Sequence, residues 1–410
     1  MTVPSLPPYI STGEPGSFAA HTLKKRLPDQ VDLVVSQNRL SGRPARALSD
    51  LKEELAGGVI EDPFGKSPVK KRPFGEEELA VWEKEVSRYS GSPWNSVPWY
   101  FAEALFYLKL LLAFGYFDEK GGLFRVDPFQ HEKNDELFSD AGCIRTMATV
   151  AGQLGGVTDP KKKLLPLIIC TLWGNRIDLS NRRIAHGAGR RVLDTDRKNI
   201  LVDHSGRLQV LLSEADRVDI VTDNCGTELG CDLLLAEYLL GLSSRPKIFF
   251  HLKKHPMFVS DAMEKDVDST VSAFLSADSP LLRATGESLS RYMETGRLLL
   301  RGHWFWNSPL HYTEIPKDLA APLAASDMVM LKGDVNYRRL LSDRHWPTNA
   351  GMESIAAYFP APFAVLRTLK SEIVVDLDDE TADELDRKDP NWMVNGERGI
   401  IRTVEKRSRP

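Results

Sequence analysis

The sequence predicts an α/β protein: a helical N-terminal region joined to an α/β/α sandwich with a mostly parallel, Rossmann-like sheet. Three observations carry that expectation. Up to about residue 180 apolar residues recur at helical spacing; after about residue 190 short β-rich runs alternate with helical stretches; and acids, amides or cations follow almost every β-rich run. The expected division is 1–180 for the mainly helical region and 181–410 for the sandwich.

Phe18, Leu23, Leu27 and Val31 mark the first helix, which Pro28 makes hard to continue unbroken. Residues 47–56 and 75–90 mix charge with spaced apolar positions, as solvent-facing helices do. The run at 99–114 is apolar apart from Glu103 and Lys109, which reads as the buried centre of this region rather than a membrane span. The stretch "KKLLPLIICTLWGNRIDLS" is expected to pass from an apolar helix into a polar loop at Asn175, Asp178 and Ser180. β-rich runs follow at 199–202, 217–222, 247–252, 327–332 and 363–375, with helices at 229–241 and 267–299 between them. Such alternation predicts parallel strands covered on both faces. The tail from Asp376 is charged and expected at the surface.

Composition narrows the function classes. Of 410 residues, 42% are hydrophobic and 27% charged, and the net charge of −4 is ordinary for a globular protein. The 53 basic residues are balanced by 57 acids, so no nucleic-acid partner is expected. The first residues, "MTVPSLPPYISTGEPG", carry no signal-peptide pattern, and no segment suggests a membrane partner. The four cysteines fit reduced thiols, and neither they nor any other pattern gives a zinc site. Cytoplasm or nucleus is the expected location; the oligomeric state is left open.

In a parallel sheet, ligands bind beyond the carboxyl ends of the strands. Run 217–222 is followed by Asp223 and Asn224, run 247–252 by a loop ending on Asp261, and run 327–332 by Asp334, Asn336 and Arg338. The run from 363 carries Arg367 and Lys370. Two carboxylates and a carboxamide, Asp223, Asn224 and Asp261, form an oxygen set suited to a hard divalent cation such as Mg²⁺ or Mn²⁺. Asp223 and Asn224 could instead merely cap the following helix. The helix after Gly226 is expected to favour an anion at its start, with Glu228 in its first turn. Lys332, Arg338 and Lys370 supply charge for a phosphoryl group, and Asp334 could orient water or bind hydroxyls. Asn175 reads as a loop or cap residue near the site.

Together, "TDNCGTE", "KHPMFVSD", "LKGDVNYRRL", "LWGNRIDLS", "LRTLK" and the N-terminal "GSFAAHTLKKRLP" resemble the metal-dependent damage-control phosphatases. The resemblance is to the branch with an RTxK motif, described both as acidic-residue methyltransferase and as sugar-phosphate phosphatase. It implies metal ligands at Asp223, Asn224 and Asp261, and substrate contacts at Asp334, Asn336, Tyr337, Arg338 and Lys370. It implies Mn²⁺, Co²⁺ or Ni²⁺ as cofactor, phosphorylated sugars such as fructose 1-phosphate and fructose 6-phosphate as substrates, and removal of harmful phosphometabolites as the role. Cys225 stands where this family usually has Ala or Ser.

Three activities are consistent with the sequence. The first is phosphomonoester hydrolysis, with water or the Asp223 carboxylate as the attacking group. The second is S-adenosylmethionine-dependent methylation of protein carboxylates, for which no glycine-rich turn is present. The third is non-catalytic sensing of phosphometabolites.

Overall fold

The computed structural model describes residues 6–65, 74–139, 142–159, 162–184, 197–242 and 246–405, with side chains of 175–184 outside the description. Seven strands form one sheet: β1 (Ile200–Asp203), β2 (Arg217–Val221), β3 (Lys247–Leu252), β4 (Leu298–Gly302), β5 (Met328–Lys332), β6 (Phe363–Thr368) and β7 (Gly399–Val404). Their order is β1-β7-β6-β5-β2-β3-β4. All neighbours pair parallel except β6 and β7, which are antiparallel. From β2 the chain winds outward through β3 to β4, whereas β5 and β6 lie on the other side. The order therefore reverses between β2 and β5, and a crevice opens at that point beyond their carboxyl ends.

Continuous apolar runs form the central strands because both faces are covered. Every residue of β5 and β6 is buried, and so are four of the five in β2. Helix Thr227–Leu242 is apolar on nearly all sides and is enclosed by the sheet and by helix Leu164–Ile184 in one shared core. Helix Trp99–Phe114 is likewise buried over almost its whole surface, and it anchors a second core with Leu23, Leu27, Val31 and Trp82. Both helices have apolar residues all round because each is packed on every side. No described helix is long and apolar enough to cross a membrane.

Four local expectations need correction. Asn175 lies within helix Leu164–Ile184, so no polar loop begins there; its side chain is outside the described residues. The helical stretch 267–299 is two helices, Glu264–Leu275 and Pro280–Glu294, followed by β4. The strand expected over 363–375 ends at Thr368. The charged tail is not simply superficial: Leu377, Leu385 and Trp392 are buried against Ile400 of β7, a strand the sequence reading missed. The first helix is broken ahead of Pro28, as expected, into three pieces: Phe18–His21, a π-helical turn Thr22–Arg26 and Leu27–Gln37. Pro28 has no N–H to donate and its ring crowds the preceding turn, so the helix widens immediately before it.

Candidate active site

Two loops build the corner of the crevice. After β2 the chain runs through Thr222 to Asp223 and Asn224; after β3 it loops back through Phe258 and Val259 to Asp261. The loops pair as a short antiparallel bridge, with Cys225 N–H donating to Ser260 O (2.7 Å) and Ala262 N–H to Asp223 O (2.8 Å). That pairing places Asp223, Asn224 and Asp261 side by side although 37 positions separate Asn224 from Asp261 in sequence. Phe258 and Val259 both have left-handed backbones (φ 48° and 68°). For a β-branched residue that conformation is costly and is held by its surroundings.

All three side chains line a cavity of about 320 Å³, and Asp334, Arg338 and Lys370 line it as well. Its roof is the N-terminal region, through Arg26 and Gln30 of the first helical segment and Trp99, Glu103 and Tyr107 of helix Trp99–Phe114. Of these, only Glu103 was visible beforehand, as a charge interrupting an apolar run; the others read simply as helix or core.

Burial raises the pKa of Asp223, and the negative charges of Glu228 and Asp261 add to the effect. Burial also raises Asp261, although Lys253 opposes it from 3.2 Å. Asn224 donates from Nδ2 to Asp223 Oδ2 (2.9 Å) and to Glu228 Oε2 (3.1 Å), and its Oδ1 accepts from Ser260 Oγ (2.5 Å). Asp223 and Asp261 are buried carboxylates that repel each other, and with the Asn224 amide held beside them by the backbone bridge they form an oxygen set of the kind that fits a hard divalent cation. Among the described residues no group of three or more His, Cys, Asp or Glu is arranged to hold a metal.

Gly333 fixes the position of Asp223. Its backbone is left-handed (φ 82°), and a Cβ there would stand 1.9 Å from Asp223 Oδ2. The next residue, Asp334, lies in the first turn of helix Gly333–Leu340. Its Oδ1 accepts from Arg367 Nε (2.7 Å), the Lys370 backbone N–H (3.0 Å) and Ser371 Oγ (3.1 Å). Burial alone would raise its pKa, but Arg367 and Arg338 outweigh that and hold the carboxylate below its usual range. It is therefore an ionised acceptor at neutral pH and a weak proton acceptor. Lys370 is exposed at the cavity, and among the described residues its ammonium has no ion-pair partner.

Several expected contacts point elsewhere. Lys332 is fully buried and binds Glu228 Oε1 (3.0 Å) and Asp232 Oδ1 (2.9 Å), beneath the site rather than in it. Burial works against its charge, and Asp232 with Glu228 outweighs burial and raises its pKa. Asn336 donates to the Thr222 and Lys332 carbonyls, tying β2 to β5, and accepts from Tyr312. Tyr337 lies against the Arg367 guanidinium (4.1 Å) and accepts from Val375 N–H. Arg367 reaches the cavity only through Asp334. Arg338 lines the cavity but is clamped by Glu103 (2.6 Å) and Asp343 (2.8 Å) over the Trp99 ring.

The expected anion place at the start of helix Thr227–Leu242 is taken by the protein itself. Glu136 Oε1 accepts from Thr227 N–H (3.4 Å), and a Cβ on the left-handed Gly226 would strike the Glu136 carboxyl. The start of this helix is therefore closed to an outside anion. Lys253, which carries no signal in its sequence context, is buried between Asp261 and the Trp306 carbonyl (2.7 Å).

The family model described as "Damage-control phosphatase ARMT1-like domain" matches residues 22–385. Damage-control phosphatase ARMT1 of Danio rerio is 28% identical over 447 residues, covering 97% of each chain. The Bos taurus protein of the same name is 30% identical over 347 residues, covering 79% of this chain and 78% of its own. A crystal structure of a DUF89 family protein from Pyrococcus horikoshii superposes at 14% identity with a TM-score of 0.48, covering 94% of this chain and 97% of that one.

Proposed function

The chain belongs to the ARMT1-like damage-control phosphatase family and is a phosphatase; from that premise we propose that it hydrolyses sugar phosphates of the fructose 1-phosphate and fructose 6-phosphate type. The observation that supports this most is the bridge between the β2 and β3 loops, which sets Asp223, Asn224 and Asp261 at one corner facing Lys370 and Asp334.

In this reading Asp223, Asn224 and Asp261 hold one divalent cation, Mn²⁺, Co²⁺ or Ni²⁺ being favoured and Mg²⁺ acceptable. When bound, that ion supplies Lewis-acid neutralisation of the phosphoryl charge. Lys370 binds a phosphoryl oxygen as a compact point charge and stabilises charge developing on it. Asp334, already ionised, accepts a hydrogen bond from water or from a substrate hydroxyl and orients it; Arg367 keeps that carboxylate in place. Lys253 offsets the negative charge of Asp261. The roof from Trp99 and Phe258 limits the water around the reacting phosphate. Removal of unwanted phosphometabolites in the cytoplasm is the role this chemistry fits.

The test is phosphate release from fructose 1-phosphate by metal-stripped enzyme with and without added Mn²⁺ or Co²⁺. Activity is expected only with added metal and is expected to be lost in Asp223→Ala. Full activity in EDTA-treated enzyme would refute the reading.

A further inference from the structure

Three groups on the cavity roof have hydrogen-bonding capacity that the protein does not use. Gln30 lines the cavity, and its Oε1 is buried without a hydrogen-bond partner. An unmade bond of that kind costs about 1–3 kcal/mol, so it calls for a compensating use. Arg26 lines the same wall from the π-helical turn. Among the described residues it has no close ion pair; it makes a long hydrogen bond to Thr22 Oγ1 (3.5 Å), faces Phe18 at 5.1 Å and attracts Glu103 from a longer distance. Tyr107 also lines the cavity, and its hydroxyl makes no hydrogen bond among the described residues. The widened turn before Pro28 lets Thr22, Arg26 and Gln30 share this wall, and π-helical turns are frequent where a helix meets a ligand.

The charges on the cavity wall nearly cancel: Glu103, Asp223, Asp261 and Asp334 stand against Arg26, Arg338 and Lys370. A divalent ion with a phosphate dianion adds no net charge, so the remainder of the substrate needs none. Unused donors and acceptors without a charge requirement are what a polyol would satisfy.

We propose that Gln30, Arg26 and Tyr107 form a specificity wall that reads the hydroxyl groups of the leaving alcohol. The inference rests on the phosphatase reading and assigns its discrimination to the roof. Gln30 Oε1 accepts from a hydroxyl, the Arg26 guanidinium donates to hydroxyl oxygens, and Tyr107 does either. None of the three touches the phosphoryl group, so they act on KM and on substrate choice.

Full-length Gln30→Leu, Arg26→Met and Tyr107→Phe are compared with wild type on a hexose monophosphate and on p-nitrophenyl phosphate, which has no hydroxyls to read. The fall in kcat/KM on the hexose phosphate is expected to exceed that on the aryl phosphate by about tenfold, through KM. Calorimetry is expected to show weaker hexose-phosphate binding with orthophosphate binding retained. Gln30→Leu removes an unsatisfied acceptor, so its melting temperature is expected to hold or rise, whereas a packing role would lower it. Equal losses on both substrates would place these residues on the phosphate and overturn the proposal, as would variants that bind the hexose phosphate like wild type. Wild-type enzyme that turns over neither substrate with added metal would instead count against the phosphatase reading, and the calorimetric comparison would still decide the wall.

Discussion

Gly333 shows how a residue without a side chain can control the chemistry of its neighbours. It lets β5 turn directly into a helix while the Asp223 carboxylate lies against its backbone. Gly333→Ala is expected to cost about 1–2 kcal/mol from the left-handed backbone alone, and to displace Asp223. Mn²⁺ titration should therefore show weakened binding together with a lowered melting temperature; unchanged metal affinity would mean Asp223 can move without loss. Lys332 and Lys370 look alike in sequence but differ in the structure. Lys332→Met leaves Glu228 and Asp232 uncompensated in the core, so a loss of about 3–5 kcal/mol in denaturant unfolding is expected. Lys370→Met should leave stability near wild type and lower kcat/KM on the order of 10²-fold. The reverse pattern would contradict the placement of these two cations.

At the scale of elements, the loop from β3 to Asp261 is held in place under strain. Its left-handed Phe258 packs against Tyr100 and Tyr107, and Val259 stands beside it with the same backbone hand. Asn tolerates that conformation better than Val, so Val259→Asn is expected to stabilise the fold by about 1 kcal/mol in denaturant unfolding. Clear destabilisation would show that the valine contacts outweigh the strain. The central strands were legible because burial on both faces demands unbroken apolar runs, and helix Trp99–Phe114 for a similar reason. β4 was not, since "LLLRG" continues from a helical pattern with only a short turn at Gly296 between them. β7 was hidden behind a run of charges. The strand-end rule located Asp223, Asn224, Asp261 and Asp334 because each follows a strand into the crevice. It misplaced Lys332, which is the last residue of β5 itself: the pleat, not the strand end, sets its direction, and sends it under helix Thr227–Leu242. The roof was illegible because Gln30, Arg26 and Tyr107 gain meaning only when the helical region packs across the sheet edge.

Over the whole molecule, the reversal of strand order between β2 and β5 creates one crevice, and the N-terminal helices cover it. The sheet edge supplies the acids, the amide and Lys370; the helical region supplies Glu103 to fix Arg338 and the roof of the cavity. The two parts also share a core, because helix Leu164–Ile184 packs on helix Thr227–Leu242, which starts just after the Asp223–Asn224 corner. The direct test is an anomalous difference map from crystals grown with Mn²⁺. One peak is expected, bounded by Asp223, Asn224 and Asp261 and facing Lys370. An active enzyme whose only manganese peak lies away from that corner would contradict the account.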